Sequence, residues 1–150
     1  MPRVVVDASI AIKWFVEEEG SEEALEIRDG YIEGEFEIAA PELLLFEVMN
    51  SLRYKELFTV PEMKGISEAL EAFSFDLYPL KGNCAGRAVE IADENDITIY
   101  DASYIALAEI ERAEFYTADE KLLGKLKKRY RDFVKGLGQR TTGNIRKRKG

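Results

Sequence analysis

Four carboxylates stand where the surrounding pattern makes an acid conspicuous: Asp7, Glu47, Asp101 and Asp119. Asp7 ends Val4-Val5-Val6, and Asp119 follows Phe115-Tyr116-Thr117-Ala118. Asp101 precedes the small and apolar stretch 102–108, and Glu47 interrupts Leu43-Leu44-Leu45-Phe46 and Val48-Met49. Taken singly, each has a structural account. Asp7, Asp101 and Asp119 can cap helices, and Glu47 can be a solvated helix residue. Taken together they imply a cation, because like charges that converge cannot all stay ionised unless something positive neutralises them. The chain has no histidine and a lone cysteine, Cys84. That removes the usual zinc sites, haem ligation, histidine-based triads and internal disulfides. Cys84, with no histidine to activate it, reads as a small packed residue. Oxygen-only ligation selects a hard ion, Mg²⁺ or Mn²⁺, which retains water and takes up phosphate oxygens. The chemistry to expect is attack of an activated water at phosphorus, with one ion or with two about 3.5–4 Å apart.

The elements that must position these acids alternate between strands and helices with short connections, the pattern of an α/β fold with a central, mostly parallel sheet covered on both faces. Val4-Val5-Val6 reads as a buried first strand. A helix over 10–16 follows, with Asp7 or Ser9 able to cap it, and a second helix starts at Ser21. Residues 36–40 form the next strand, and Pro41 opens the next helix, which runs to about Lys55. Pro61, Gly65 and Pro79 punctuate a helix over 66–73 and a short strand over 75–80. A helix over 84–94 leads, through 97–100, to a helix from Asp101 to about Arg112. A strand over 114–117, a basic helix from Asp119 to about Tyr130 and an edge strand over 133–137 complete the pattern. Three acids thus fall at strand ends or helix starts, where open parallel sheets place their ligand crevice. Glu47 comes from a helix, where it shares a face with Asn50, Ser51 and Tyr54. A carboxylate on so apolar a helix needs water, hydrogen bonds or a cation.

The 150 residues suffice for one domain. No apolar run approaches the roughly 18 residues needed to span a bilayer, and Met1-Pro2-Arg3 leads into a strand rather than a signal peptide, so a cytoplasmic protein is expected. The net charge of −8 is unevenly spread: residues 121–150 hold 12 of the 21 Lys and Arg and a single acid, Asp132. The acidic remainder would repel a polyanion unless a cation intervened. The segment with Lys125, Lys128, Arg129 and Arg131 is the expected face for phosphate contact, and the tail Arg146-Lys147-Arg148-Lys149 the second basic cluster.

The ordered strings Val4-Val5-Val6-Asp7-Ala8-Ser9, Pro41-Glu42-Leu43 with Glu47-Val48-Met49-Asn50, Tyr100-Asp101-Ala102-Ser103-Tyr104-Ile105-Ala106-Leu107-Ala108, and Thr117-Ala118-Asp119-Glu120-Lys121-Leu122 resemble PIN domains of the VapC toxin type. The resemblance implies a three-layer α/β/α fold over 1–137; residues 138–150 lie outside the matched motifs and read, from their charge, as a basic, flexible tail. It implies a metal-dependent endoribonuclease, the toxin of a toxin–antitoxin pair, held by a small cognate antitoxin and assembling as a homodimer. It further implies that Asp7, Asp101 and Asp119 hold Mg²⁺ or Mn²⁺ and that Glu47 serves a second ion or orients the attacking water. Ser9, Thr117 and Asn50 would then support those carboxylates. A catalytically silent PIN-like module that binds protein or RNA is the alternative. A phospho-receiver fits poorly, since one acid follows the first strand where an adjacent acidic pair is needed, and no lysine stands at Thr117. A haloacid-dehalogenase-like phosphatase would need an aspartate at Ser9.

Overall fold

Val4, Val5 and Val6 are wholly excluded from solvent and, with Arg3, form the central strand β1 (Arg3–Val6) of the computed structural model, which describes residues 1–139. An unbroken β-branched run is what a strand covered on both faces requires. Four more strands, β2 (Glu37–Pro41), β3 (Asp76–Tyr78), β4 (Glu114–Thr117) and β5 (Val134–Gly136), complete a five-stranded sheet of order β3-β2-β1-β4-β5. Every pairing is parallel, with Val5 opposite Ala39 on one side and Phe115 on the other. The chain steps outward from β1 to β3, then returns across the sheet to β4. The order therefore reverses between β1 and β4, and such a switch opens a crevice beyond the carboxyl ends of those two strands.

The helices are α1 (Ala8–Ala11), which continues as a 3₁₀ turn over Ile12–Trp14, α2 (Ser21–Ile32), α3 (Leu43–Lys55), α4 (Val60–Phe73), α5 (Gly82–Asn95), α6 (Ile99–Glu111) and α7 (Glu120–Lys125). Right-handed crossovers between parallel strands put α1 to α4 on one face and α5 to α7 on the other, giving three α/β/α layers. Accordingly, α6 packs on β1, β2 and β4 from one side while α1 meets β1 and β4 from the other. Between α6 and the sheet, Tyr104 stacks on Phe115 with ring centroids 5.6 Å apart.

Several boundaries depart from expectation. Pro41 ends β2 instead of opening a helix; the ladder continues through the Glu42 N–H, which donates to the Tyr78 carbonyl at 3.0 Å. The helix expected over 10–16 is one α turn and one 3₁₀ turn, anchored by buried Trp14, whose indole N–H donates to the Ala24 carbonyl at 2.8 Å. α4 begins at Val60 because Thr59 and Glu62 form a capping box and Pro61 is tolerated in a first turn. The basic helix expected to reach Tyr130 stops at Lys125 and resumes as a 3₁₀ turn over Lys128–Asp132. Tyr130 is buried beyond the break, and Arg131 donates to the carbonyls of Leu126 at 3.3 Å and of Leu123 at 2.8 Å, the latter also accepting from the Leu126 N–H, at the helix end. Of the tail expected over 138–150, residues 140–150 lie outside the described residues.

Candidate metal centre at the switch point

Asp7 is the first residue beyond β1, at the bottom of the crevice, and is buried. Its Oδ1 accepts from the Ser9 N–H at 3.1 Å and from the Ser9 hydroxyl at 2.5 Å; its Oδ2 accepts from the Thr117 hydroxyl at 2.6 Å. Each hydroxyl is itself aimed by a backbone donor. Ala118 N–H donates to Ser9 Oγ at 2.8 Å, and Asp119 N–H donates to Thr117 Oγ1 at 3.1 Å. Because both hydroxyls receive a proton from the main chain of the β4 exit, each is free to direct its own proton at Asp7. The first and fourth strands are thereby tied together through one carboxylate, which cannot rotate without breaking three bonds.

Asp7 caps α1, and Asp119 caps α7 by accepting from the Leu122 N–H at 3.0 Å. The capping and site readings of these two acids are thus the same geometry. Asp101 is different. α6 starts two residues earlier than expected, at Ile99, capped by Thr98, whose hydroxyl accepts from the Asp101 N–H at 3.0 Å. Asp101 lies in the first turn, not at the cap. The Thr-x-x-Asp spacing of Thr98 and Asp101 is the sequence signal for that start. Asp101 and Asp119 together line a cleft of about 320 Å³ with Thr98, Lys121 and Lys125.

Glu47 arrives from the second turn of α3, close to the carboxyl end of β2, and its Oε1 accepts from the Tyr104 hydroxyl at 2.6 Å. That bond joins helices from opposite layers, and no local pattern could have assigned it. Tyr104 is nonetheless three residues after Asp101, on the same face of α6. Asn50 is exposed and lines an apolar hollow with Phe46, Arg53 and Met63 rather than the acid cleft.

The acids sense one another. Burial, then repulsion from Asp101 and Glu47, pushes the Asp7 carboxyl up to about 7 against the pull of its two hydroxyl donors. Burial and then the charge of Asp101 raise Glu47, opposed by the Tyr104 bond. Burial and then the charge of Asp119 raise Asp101, with Lys125 a weaker opposing influence. Tyr104 is raised by burial and by Glu47. Among the described residues no three acid or cysteine side chains close around one point. The cluster is an open, oxygen-only, electrostatically strained cleft. Those donors suit a hard divalent ion that keeps part of its hydration shell, since a carboxylate raised by burial and like charge is stabilised by a cation.

A family model, the PIN domain, matches residues 4–128. The chain belongs to the PIN domain family. The matched span carries all four acids, both hydroxyls and the switch between β1 and β4. Solved structures share the fold at low identity. PAE2754 from Pyrobaculum aerophilum is 24% identical, with 91% of this chain and 90% of that one aligned at a TM-score of 0.62. A toxin–antitoxin complex from Klebsiella pneumoniae is 20% identical over 79% and 88% of the two chains, TM-score 0.56. The Mycobacterium tuberculosis toxin VapC20, described as cleaving the sarcin–ricin loop, is 12% identical over 81% and 93%, TM-score 0.60. No curated protein sequence matches this PIN domain chain.

The basic face expected from sequence is divided by the fold. Lys125 lines the acid cleft. Arg129 instead pairs with Glu94 and donates to the Tyr130 hydroxyl, and Arg131 is spent on helix carbonyls. Among the described residues, no helix is long and apolar enough to cross a membrane.

Proposed function

We propose that this PIN domain is a metal-dependent endoribonuclease of the VapC toxin type, working in the cytoplasm under the control of a small cognate antitoxin. The observation that carries the reading is Asp7: a buried carboxylate, held rigid by three donors at the sheet's switch point and opposed by two neighbouring acids. So costly an arrangement is compensated by a divalent ion. Bound there, Mg²⁺ or Mn²⁺ supplies charge neutralisation for the phosphate and an acidified water at neutral pH.

The chain's own part follows from its geometry. Asp7, Asp101 and Asp119 provide the anionic oxygens that hold the ion, Ser9 and Thr117 keep Asp7 in the rotamer that binds, and the cleft walls leave room for water and a phosphate. Glu47, oriented by Tyr104 and raised by burial and then by the charge of Asp101, would orient the attacking water and take its proton. Phe46 on α3, Leu57 after it and Val60 at the start of α4, respectively 76%, 62% and 69% accessible, are exposed apolar side chains that support a protein partner, the antitoxin or a second copy in a homodimer. The basic tail beyond the domain adds non-specific attraction for RNA.

The test is cleavage of a structured RNA by the purified chain in Mg²⁺, abolished by chelator. RNA left intact while the folded protein binds no Mn²⁺ would leave only the silent binding module. Thr117→Val, which removes a donor to Asp7 while keeping shape, is expected to weaken Mn²⁺ binding by calorimetry and to slow cleavage by roughly 10- to 100-fold. Thr117→Ser should stay near the parent. Equal behaviour of the Val and Ser variants would deny the hydroxyl its role.

A further inference from the structure

The geometry points to a lysine-lined track leading out of the metal centre along α3. We propose that Lys13, Lys55 and Tyr54 hold the flanking backbone and base of a single-stranded RNA whose scissile phosphate lies at Asp7. This rests on the nuclease reading above.

The last eleven residues hold five of the 21 basic residues and none of the 29 acids, leaving residues 1–139 at a net −13. RNA approaching such a domain must follow whatever positive charge borders the acids. A groove of about 480 Å³ provides it. Ser9 and Ala118, which belong to the Asp7 network, line it together with Ile12, Lys13, Glu18, Ser51, Tyr54 and Lys55. On α3, residues 47, 51, 54 and 55 recur at helical spacing, so Glu47 and the track lie on one stripe. Eight residues at a rise of 1.5 Å place Lys55 about 12 Å along the axis from Glu47.

The two ammonium groups are fixed rather than waving. Glu18 bridges them, accepting from Lys13 Nζ at 3.1 Å on one oxygen and from Lys55 Nζ at 3.3 Å on the other. Lys13 also donates to the Glu19 carbonyl at 2.6 Å. Each ammonium has three donors, so Lys13 keeps one N–H and Lys55 two for an anion, and the trio carries a net positive charge. Lys13 is largely buried, its side chain 12% exposed, which makes it a poor general solubiliser. Beside it Tyr54 exposes 74% of its surface, an aromatic face available to a base. Paired cations next to an exposed ring are the elements of a single-strand site, where charge follows the backbone and the ring stacks a base.

Binding of a labelled single-stranded RNA by the full chain, followed by fluorescence anisotropy in Ca²⁺, tests this. Lys55→Ala should weaken binding several-fold and lower the slope of log K against log salt by about 0.7. Tyr54→Ala should weaken it roughly 5- to 100-fold, with Tyr54→Phe restoring it, since the ring and not the hydroxyl stacks. In Mg²⁺ the same variants should raise KM and leave kcat near the parent. Circular dichroism melting confirms that each is folded. A parent that cleaves RNA while the variants keep its KM and salt slope overturns the track and leaves the nuclease reading intact. A parent that binds without cleaving, with binding still lost in the variants, upholds the track on a silent module. A parent that binds no single-stranded RNA, or one from which polyglutamate displaces RNA as well as RNA itself does, overturns the track.

Discussion

Asp7→Asn protein, prepared free of metal, is expected to be more stable than the parent at pH 8 and to cleave RNA about 10³-fold more slowly, the loss of several kcal/mol of barrier lowering. The stability half of this follows from linkage. Burial raises the Asp7 carboxyl to about 7 from its ordinary value of 3.8, so between about pH 4 and 7 the folded state holds a proton that the unfolded state has released. Stability contributed by that proton is fully present below the unfolded value and is lost as pH rises through the folded one. At 1.36 kcal/mol per unit the parent loses up to roughly 4 kcal/mol across this window. Asparagine has no such proton, so the variant's slope should be shallower, with Glu47 and Asp101 supplying the remainder. Added Mn²⁺ should raise the parent's melting temperature at pH 8 and leave the variant nearly unmoved. Thermal melts from pH 4 to 8 with parallel cleavage assays decide it; matching slopes, or a variant that cleaves at the parent's rate, would remove Asp7 from the site.

Phe115→Ala should cost about 3–5 kcal/mol and lower the melting temperature by roughly 6–20 °C. Phe115 is inaccessible, lies opposite Val5 in β1 and Val134 in β5, and carries the ring of Tyr104. Its removal opens a cavity at the centre of the sheet, and with it goes the stacked pair, worth about 0.5–1.5 kcal/mol beyond area burial. Because Tyr104 is what orients Glu47, the damage should reach the site. Tyr104→Phe separates the two effects: it keeps the ring, costs on the order of 1 kcal/mol, and frees Glu47. Urea titration should rank Phe115→Ala far below Tyr104→Phe in stability, while cleavage by Tyr104→Phe falls although its fold survives. A Phe115→Ala loss under 1 kcal/mol would mean that this layer is not packed as described.

Much of this was written locally. A buried valine run followed at once by Asp7, and an aromatic strand followed by Thr117-Ala118-Asp119, mark strand ends because residue type and periodicity act over a few positions. So does the alternation that implies a parallel sheet. The boundary errors have local causes too. By residue type alone Pro41 opens a helix and Pro61 punctuates one, whereas the ladder bond from Glu42 and the Thr59 capping box govern those positions.

What the sequence by itself determined is the order of the elements and the presence of an acid at each relevant end. The tertiary structure alone decided which ends meet. Asp7 and Thr117 are 110 residues apart and share a hydrogen bond because the chain, after β3, crosses back to lay β4 beside β1. Glu47 and Tyr104, from opposite layers, are joined in the same way. It also parted Arg129 and Arg131 from the acids and set Lys13 and Lys55 around Glu18. Backbone propensity and hydrophobic period fix which side chains stand at a strand's end. Repulsion between carboxylates and the bonds that restrain them depend on separation through space, which strand order sets and no short stretch of sequence encodes.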